Sequence, residues 1–534
     1  MELTGLYARG AVVDSTLDQV PRGQAVMDCS MVRETRANPS EHKPREKSRC
    51  VLRGDMQDPL PRASETYCPT PSSDAVRMHH ALLVLEPRDE DGEPWVLRQV
   101  DIKQAFLQSH KLAPEKRQWA RPPKGHRRDP QHVWRVDVAM YGLGVASREW
   151  FDTVMPFLLL HGWEQIGDEE CFLQLRQDGK IVMRMTMHID DFQITAKNDV
   201  IASAWIKTLL ARFDGAEQKP DKYVGYQVRY DGAAGTCTLH QEDYILALLK
   251  KYQMENCNGS DTPIVPNTYM LNKDAPEMID FKMRQAYQEL VGSLIFLAAA
   301  TRPEISFVVS QLAKHMANPG AVHWTSTTRV LRYLRKTSSL GITYRRDAAR
   351  GGTLVGFVDS DWASDPDGRR SIGGYVFLLA GGAVSWKCRK QPCVAMSTAE
   401  AEFMAASTSA LHAVWLKRML MACEMLSGAP VVVFEDNEGC IAMSENLRSK
   451  TRSKHIDLRV WSLKEHVERG VLRLVSCPTE DMCADGMTKG LTPYKFAQHR
   501  DVMLGLAPHT APSSTGRGEL WERATARVLR VKLA

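Results

Sequence analysis

The chain has 534 residues and a mass of 60.0 kDa, too long for one hydrophobic core, so about three or four domains are expected at roughly 150 residues each. With 43% hydrophobic residues, 25% charged residues and a net charge of +5, it reads as an ordinary globular protein. The mild positive charge permits a nucleic-acid partner without requiring one. No window approaches the ~18 apolar residues of a membrane span, which argues against a membrane protein.

Residues 1–44 mix charges, proline and serine without periodicity, as in EHKPREK, and read as a loose tail. Strand-like and helix-like segments then alternate to about residue 258. NGSDTPIVPNTY interrupts them with two prolines and polar residues, the composition of a linker or strap. YQELVGSLIFLAAATRPEISFVVSQLAKHMA and HWTSTTRVLRYLRKTSSLGITY follow with apolar residues at helical spacing. A new domain starts near Thr353. TLVGFVDSDWA is a strand, RRSIGGYVFLLAGGAVSWKC a glycine-linked hairpin, STAEAEFMAASTSALHAVWLKRML a long helix, and APVVVFEDN a buried strand entering a helix. Polar, low-order sequence returns after Leu491. Such alternation predicts α+β or α/β layers.

The twelve cysteines are scattered. Cys388 and Cys393 lie in KCRKQPC without a second pair at zinc-finger spacing, so the thiols read as reduced and the chain as cytosolic or nuclear. The opening MELTGLYARG lacks a signal-peptide core, so secretion is not expected.

Chemistry concentrates in carboxylates. Asp190 and Asp191 stand side by side within MTMHIDDFQIT, where the flanks are apolar, β-branched and aromatic like a buried hairpin. Paired acids usually lie in solvated turns, but these flanks argue otherwise, and a buried carboxylate is costly unless a positive partner neutralises it. Asp101, in WVLRQVDIKQAFLQ, follows a strand-like run. Brought together, the three acids are tolerable around Mg²⁺, which takes one or two carboxylates together with substrate phosphates. Two such ions ~4 Å apart activate a 3′-hydroxyl and stabilise a leaving pyrophosphate.

DIKQAFL, MYGLGVASREW, HIDDF, KSRCVLRGDMQ and LVGSLIFLAAATRPEISFVVSQLAKHMANPGAVHW, in that order, resemble the polyprotein of copia-type long-terminal-repeat retrotransposons. The resemblance runs from about residue 46 to 490. It implies a multidomain α+β and α/β chain: reverse transcriptase fingers and palm over 45–258, thumb or connection helices over 259–349, a ribonuclease H-like mixed-sheet domain over 350–490, and a tail over 491–534. The implied activity is RNA-directed DNA synthesis with hydrolysis of the RNA strand of the hybrid. The implied partners are an RNA template, a DNA primer, an RNA–DNA hybrid and deoxynucleoside triphosphates, with Mg²⁺ or Mn²⁺, two per active site. A virus-like particle in the cytoplasm, or the nucleus, is the implied location.

Carried over by residue, Asp101, Asp190 and Asp191 match the polymerase acids. Phe106 matches the aromatic gate against a ribose 2′-hydroxyl, though sequence alone reads it nearly as well as a core phenylalanine. Arg49 and Arg53 offer guanidinium forks for the incoming triphosphate. The resemblance maps Asp359, Glu402, Asp436 and Asp485 to the acids of ribonuclease H, which direct water at an RNA phosphate. Asp361 shares a strand face with Asp359, so spacing alone does not choose between them. Glu400 fits the third helical position of a capping box begun by Ser397, leaving Glu402 as the freer ligand. Lys387, Arg389 and Lys390, read as a hairpin tip, and Arg452, Lys454 and His455, before a helix, fit phosphate contacts equally as well as a solvated face.

The sequence also departs from the family pattern. Gly144-Val145-Ala146-Ser147-Arg148 stands where Lys-Gln-Ala-Pro-Arg is usual, and His188 replaces the tyrosine before x-Asp-Asp; a short PTED loop stands where many ribonuclease H relatives outside retroelements carry a catalytic histidine. Protease and integrase signatures are absent, which fits a fragment or a decayed copy. Beside an active polymerase–nuclease stands the alternative of a catalytically impaired relic or a co-opted nucleic-acid-binding protein.

Overall fold

Strand Val12–Thr16 pairs antiparallel with strand His132–Val136, residue for residue from Val12↔Val136 to Thr16↔His132. The computed structural model describes residues 2–36, 45–268, 270–275, 280–346, 353–426, 428–445 and 454–508. Where a loose tail was expected over 1–44, residues 2–36 form a helix, Glu2–Ala8, and the strands Val12–Thr16 and Val26–Arg36. Leu6, Ala11, Val12, Met27 and Cys29 of this segment are buried in one core with Trp134 and Val136. The misreading has a physical cause: the apolar residues are few and irregularly spaced, and only pairing with strands some hundred residues away buries them.

The chain divides into two compact units, 1–71 with 98–165 and 169–219, and 72–97 with 166–168 and 220–534. The first unit holds a five-stranded sheet in the order Val12–Thr16, His132–Val136, Gln118–Arg121, Val26–Arg36, Arg45–Leu52. Its second sheet has six strands, ordered Gly215–Gln218, Val96–Ile102, Asp191–Ala196, Lys180–His188, Glu169–Gln177 and Trp163–Ile166. Strand Lys180–His188 is buried over Val182–Met187. Its apolar, β-branched content suits a central strand packed on both faces.

In the second unit, strands Lys222–Tyr223, Tyr226–Asp231, Thr236–His240 and Gly341–Arg345 make a four-stranded antiparallel sheet. Thr236–His240 pairs with Gly341–Arg345 across the boundary expected at 258, because an open strand edge takes the nearest complementary strand whatever its distance in sequence. Helices Glu242–Lys251, Phe281–Ala300, Ser306–Ala313 and Ala321–Lys336 share one apolar core. The segment expected as a strap lies against them. Ile264 is buried in that core, Arg329 donates to Thr262 Oγ1 at 2.9 Å, and Arg332 donates to the Asn258 carbonyl at 2.7 Å.

The last sheet is ordered Gly382–Lys390, Ile372–Leu379, Val355–Asp361, Val431–Glu435, Leu472–Ser476, the first three antiparallel and the last two joined in parallel. Helix Thr398–Ala422 starts at Ser397, whose Oγ accepts from the Glu400 N–H at 3.2 Å. Glu400 in turn accepts from the Met396 N–H at 2.8 Å, which gives it the capping role its position suggested. Two sequence expectations change here. The hairpin tip is Ala380–Gly381, with φ of 52° and 82°, so Lys387, Arg389 and Lys390 lie at the far end of their strand, opposite Tyr375, Gly373 and Ile372. The expected C-terminal tail instead begins with a helix, Pro493–Met503, whose Phe496 is buried; residues 509–534 fall outside the described residues.

Candidate functional site

Strand pairing assembles the first acid cluster. Asp191 sits opposite His188, so the hairpin turn consists of Ile189 and Asp190 alone. Ile189 has a φ of 56°, which a β-branched residue adopts only at a cost of about 1–3 kcal/mol. Trp150, on helix Ala146–Leu160, secures this tip by donating Nε1–H to the Ile189 carbonyl at 2.8 Å. The N–H of Ile102, next to Asp101, donates to the Asp190 carbonyl at 2.8 Å, which brings Asp101 to the tip. All three acids are half-buried. Gln99, on the same strand face as Asp101, donates Nε2–H to Asp191 Oδ1 at 2.8 Å. Burial pushes the Asp191 carboxyl up to about 7, with Gln99 opposing and Asp101 and Asp190 reinforcing. Burial also holds His188 below the usual imidazole range, against the pull of Asp190.

Phe106, five residues after Asp101, rests on Tyr141, ring centroids 5.2 Å apart and planes inclined by 57°. The Arg49 guanidinium lies 5.7 Å from the centroid of the same Tyr141 ring. Arg53 is exposed and paired with Asp55 at 2.6 Å, so its charge is shared before any ligand arrives. Gly142, after Tyr141, has a φ of 95°, and a Cβ there would lie 1.9 Å from the Leu52 carbonyl oxygen. No other residue fits so close to a backbone. In the departing segment, Arg148 is engaged with Asp152 one turn along, at 2.8 Å.

The second cluster sits on the last sheet. Asp359 and Glu402 are buried, Asp436 half-buried, and one ligand atom from each lies within 4.8 Å of the others. Among the described residues this is the group that closes so tightly; Asp101, Asp190 and Asp191 do not reach that spacing. Burial raises the Asp359 carboxyl to about 7, Lys489 opposing and Asp485 adding to the rise. Burial beside Glu435, Asp359 and Asp436 holds Glu402 well above the carboxylate range. Glu402 Oε2 is buried with no hydrogen-bond partner, a costly arrangement for a charged group without a cation. An oxygen-only nest of this kind fits a hard divalent ion, with Asp359, Glu402 and Asp436 as the residues that would hold it.

Asp485 stands apart from that trio. It is fully buried, with Lys489 at 2.7 Å from Oδ1 and Lys495 at 2.6 Å from Oδ2. Lys489 also lies 3.8 Å from Asp359 Oδ2, which accepts a hydrogen bond from Thr488. Thr479, in the PTED loop, donates to Asp436 Oδ2 at 3.0 Å. Asp361, the rival of Asp359, is the more exposed of the two and stays outside the trio.

Lys387, Arg389 and Lys390 line a cavity of about 270 Å³ with Gly373, Gly374 and Thr408. Lys390 is paired with buried Asp365 at 2.7 Å. Arg452 lies outside the described residues, and of Lys454 and His455 only their place in helix Lys454–Glu468 is described.

Several contributors escaped the sequence reading. Gln99 was signalled by the period-2 rule and Lys489 by its position four residues after Asp485. Glu435, fully buried, its Oε2 lacking a partner and its carboxyl raised to about 8 by burial, adjoins Asp436 in sequence. Trp150, Tyr141 and Lys495 carried no such signal.

The family model described as reverse transcriptase (RNA-dependent DNA polymerase) matches residues 15–266. The retrovirus-related Pol polyprotein from transposon TNT 1-94 of Nicotiana tabacum is 28% identical over 496 residues, 91% of this chain and 36% of that protein. The one from transposon RE2 of Arabidopsis thaliana is 29% identical over 480 residues, 89% of this chain and 32% of its own length. A solved foamy viral protease-reverse transcriptase in complex with ds DNA is a loose likeness: TM-score 0.46, 11% identity, 89% of this chain and 68% of that one. The chain thus spans about a third of the length of these two Pol polyproteins. Residues 15–266 are a reverse transcriptase domain, and the chain is similar over most of its length to copia-type retrotransposon Pol polyproteins.

Proposed function

We propose that the chain is an RNA-directed DNA polymerase joined to a ribonuclease H, which copies retrotransposon RNA and removes the RNA strand of the resulting hybrid. The observation that carries the polymerase reading is the Ile102–Asp190 backbone hydrogen bond, which brings Asp101 to the Asp190–Asp191 tip. Asp101, Asp190 and Asp191 are the residues for Mg²⁺ or Mn²⁺ here; bound there, such ions supply Lewis-acid stabilisation of a phosphoryl transfer. Gln99 orients Asp191 from behind, and Trp150 keeps the strained turn in place. Phe106, supported by Tyr141, forms a fixed aromatic wall suited to excluding a 2′-hydroxyl. Arg49, near the same Tyr141 ring, offers a guanidinium fork for triphosphate oxygens, whereas Arg53 must first give up Asp55.

The nuclease reading rests on the order and directions of the last five-stranded sheet and on the tight trio Asp359, Glu402 and Asp436. Asp485 contributes through Lys489, which spans Asp485 and Asp359 and holds positive charge at the edge of the trio. Lys387 and Arg389, around a cavity with two glycines in its floor, suit the hybrid's phosphates, which set register without reading sequence. Lys454, His455 and Arg452 remain further candidates for that path.

One observation favours a second reading, a nucleic-acid-binding relic. The segment Gly144–Arg148 lacks the usual glutamine and lysine, and its arginine is committed to Asp152. Primer extension on an RNA template and cleavage of a labelled RNA–DNA hybrid separate the two. Asp190→Asn is expected to lower synthesis more than 100-fold, beyond the 10–100-fold typical of an outer partner, while sparing cleavage; Asp436→Asn is expected to do the reverse. Salt-sensitive hybrid binding with no divalent-ion-dependent product from the wild type establishes the relic.

A further inference from the structure

Cys29 and Cys50 lie on adjacent antiparallel strands, Val26–Arg36 and Arg45–Leu52. The register sets Cys29 opposite Leu52 and Met31 opposite Cys50, so the two cysteines are diagonal neighbours on one sheet face. Their Sγ atoms are 2.9 Å apart. A disulfide closes at about 2.05 Å, so a shift of less than about an ångström joins them. Cys50 is fully buried and Cys29 is 8% exposed, which makes Cys29 the thiol that a reagent reaches first.

We propose that Cys29 and Cys50 form a redox-active dithiol, oxidised reversibly by small disulfides of the glutathione type. The Cys29 thiolate attacks one sulfur of the oxidant, forming a mixed disulfide and expelling one small thiol. The Cys50 thiolate then attacks Cys29 Sγ and expels the second small thiol. Two protein thiols and one small disulfide thereby become one protein disulfide and two small thiols, with the electron pair passed to the oxidant. The pair is poised for this because proximity makes the second step intramolecular. In a reducing compartment, disulfides that do form are commonly transient and redox-sensing.

The cross-link bears on the candidate polymerase site through one strand. Arg45–Leu52 carries Arg49, and the N–H of Leu52 donates to the Tyr141 carbonyl at 2.8 Å. Oxidation therefore ties Val26–Arg36 covalently to the strand that bears Arg49 and braces Tyr141. The inference stands on the sulfur geometry and the register, and holds whether or not the chain polymerises.

The test uses the full chain, fully reduced, equilibrated over graded ratios of reduced to oxidised glutathione, alkylated, digested and mapped by mass spectrometry. The expected result is a Cys29–Cys50 cross-linked peptide at ratios where the other cysteines remain alkylated. The thiol count in denaturant then falls from twelve to ten, and added reductant restores it. In Cys50→Ser, Cys29 is expected to accumulate as a mixed disulfide with glutathione. Alkylated Cys29 and Cys50 at every ratio, or joining of either to another cysteine, overturns the proposal. The wild-type map decides the matter even where the variant folds poorly.

Discussion

At the hairpin tip of the first unit, half-buried carboxylates gather at the end of a sheet, and Asp190 and Asp191 make no ion pair among the described residues. In the second unit, Asp359, Glu402 and Asp485 are buried, and Lys489 and Lys495 reach into the cluster. The difference follows from solvent. Half-exposed acids keep enough water to share a small space without a resident cation. Buried acids must be protonated, paired with lysine, or paired with a metal. In the second cluster Lys489 and Lys495 pair with Asp485, and burial favours the protonated forms of Asp359 and Glu402.

Glu402→Gln offers the largest test of that contrast, because it pulls two readouts in opposite directions. Hybrid cleavage is expected to fall more than 100-fold, beyond the 10–100-fold of an outer partner. In chelator at pH 7.5 the same variant is expected to be more stable, by about 2 kcal/mol, since burial and neighbouring acids already disfavour the charged form. Asp191→Asn should give a smaller gain, its site being half-exposed; equal gains in thermal unfolding midpoint would erase the distinction.

Gln99→Leu sharpens the first site. It removes the hydrogen bond that favours ionised Asp191 and is expected to cost about 10–100-fold in primer extension. Hybrid cleavage by the same preparation serves as the internal control. A matching loss in both activities would point to misfolding instead.

The smallest effects are in pH. Asp191 has a raised folded-state pKa, so between its ordinary value of 3.8 and about 7 the folded chain holds a proton that the unfolded chain has released. Its contribution to stability is therefore present at low pH and lost as pH rises through that window, by about 1–2 kcal/mol in chelator after allowing for partial exposure. His315 has the opposite sign. It is buried and stacked on His323, centroids 3.8 Å apart with planes 9° from parallel. Burial lowers it to about 4, so its contribution is complete above 6.5 and is lost as pH falls from 6.5 to about 4. Unfolding midpoints of Asp191→Asn and His315→Gln against pH should bend away from wild type in opposite senses. Parallel curves would refute both assignments.

Much of the first site was legible because its signal is local. The apolar flanks of Asp190–Asp191 announce a buried hairpin, and the run before Asp101 announces a strand. Both elements form where expected. The long helix carrying Glu402 and its Ser397 cap were readable for the same reason. Misreadings arose where order depends on distant partners. Residues 2–36 look disordered until strand His132–Val136 and its neighbours bury them, and Lys387, Arg389 and Lys390 were put at a tip that Ala380–Gly381 occupies.

By itself, the sequence determined which side chains carry charge and those elements whose periodicity, caps and turn residues act over a few positions, such as the Asp190–Asp191 hairpin and the helix begun at Ser397. Only the tertiary structure decided how far each acid leaves water and what neutralises it. That choice sets Gln99 behind Asp191, strains Ile189 over Trp150, and gives Asp485 two lysines while leaving Glu402 Oε2 without a donor. Burial and Coulomb energies depend on distances through space, which no spacing along the chain encodes.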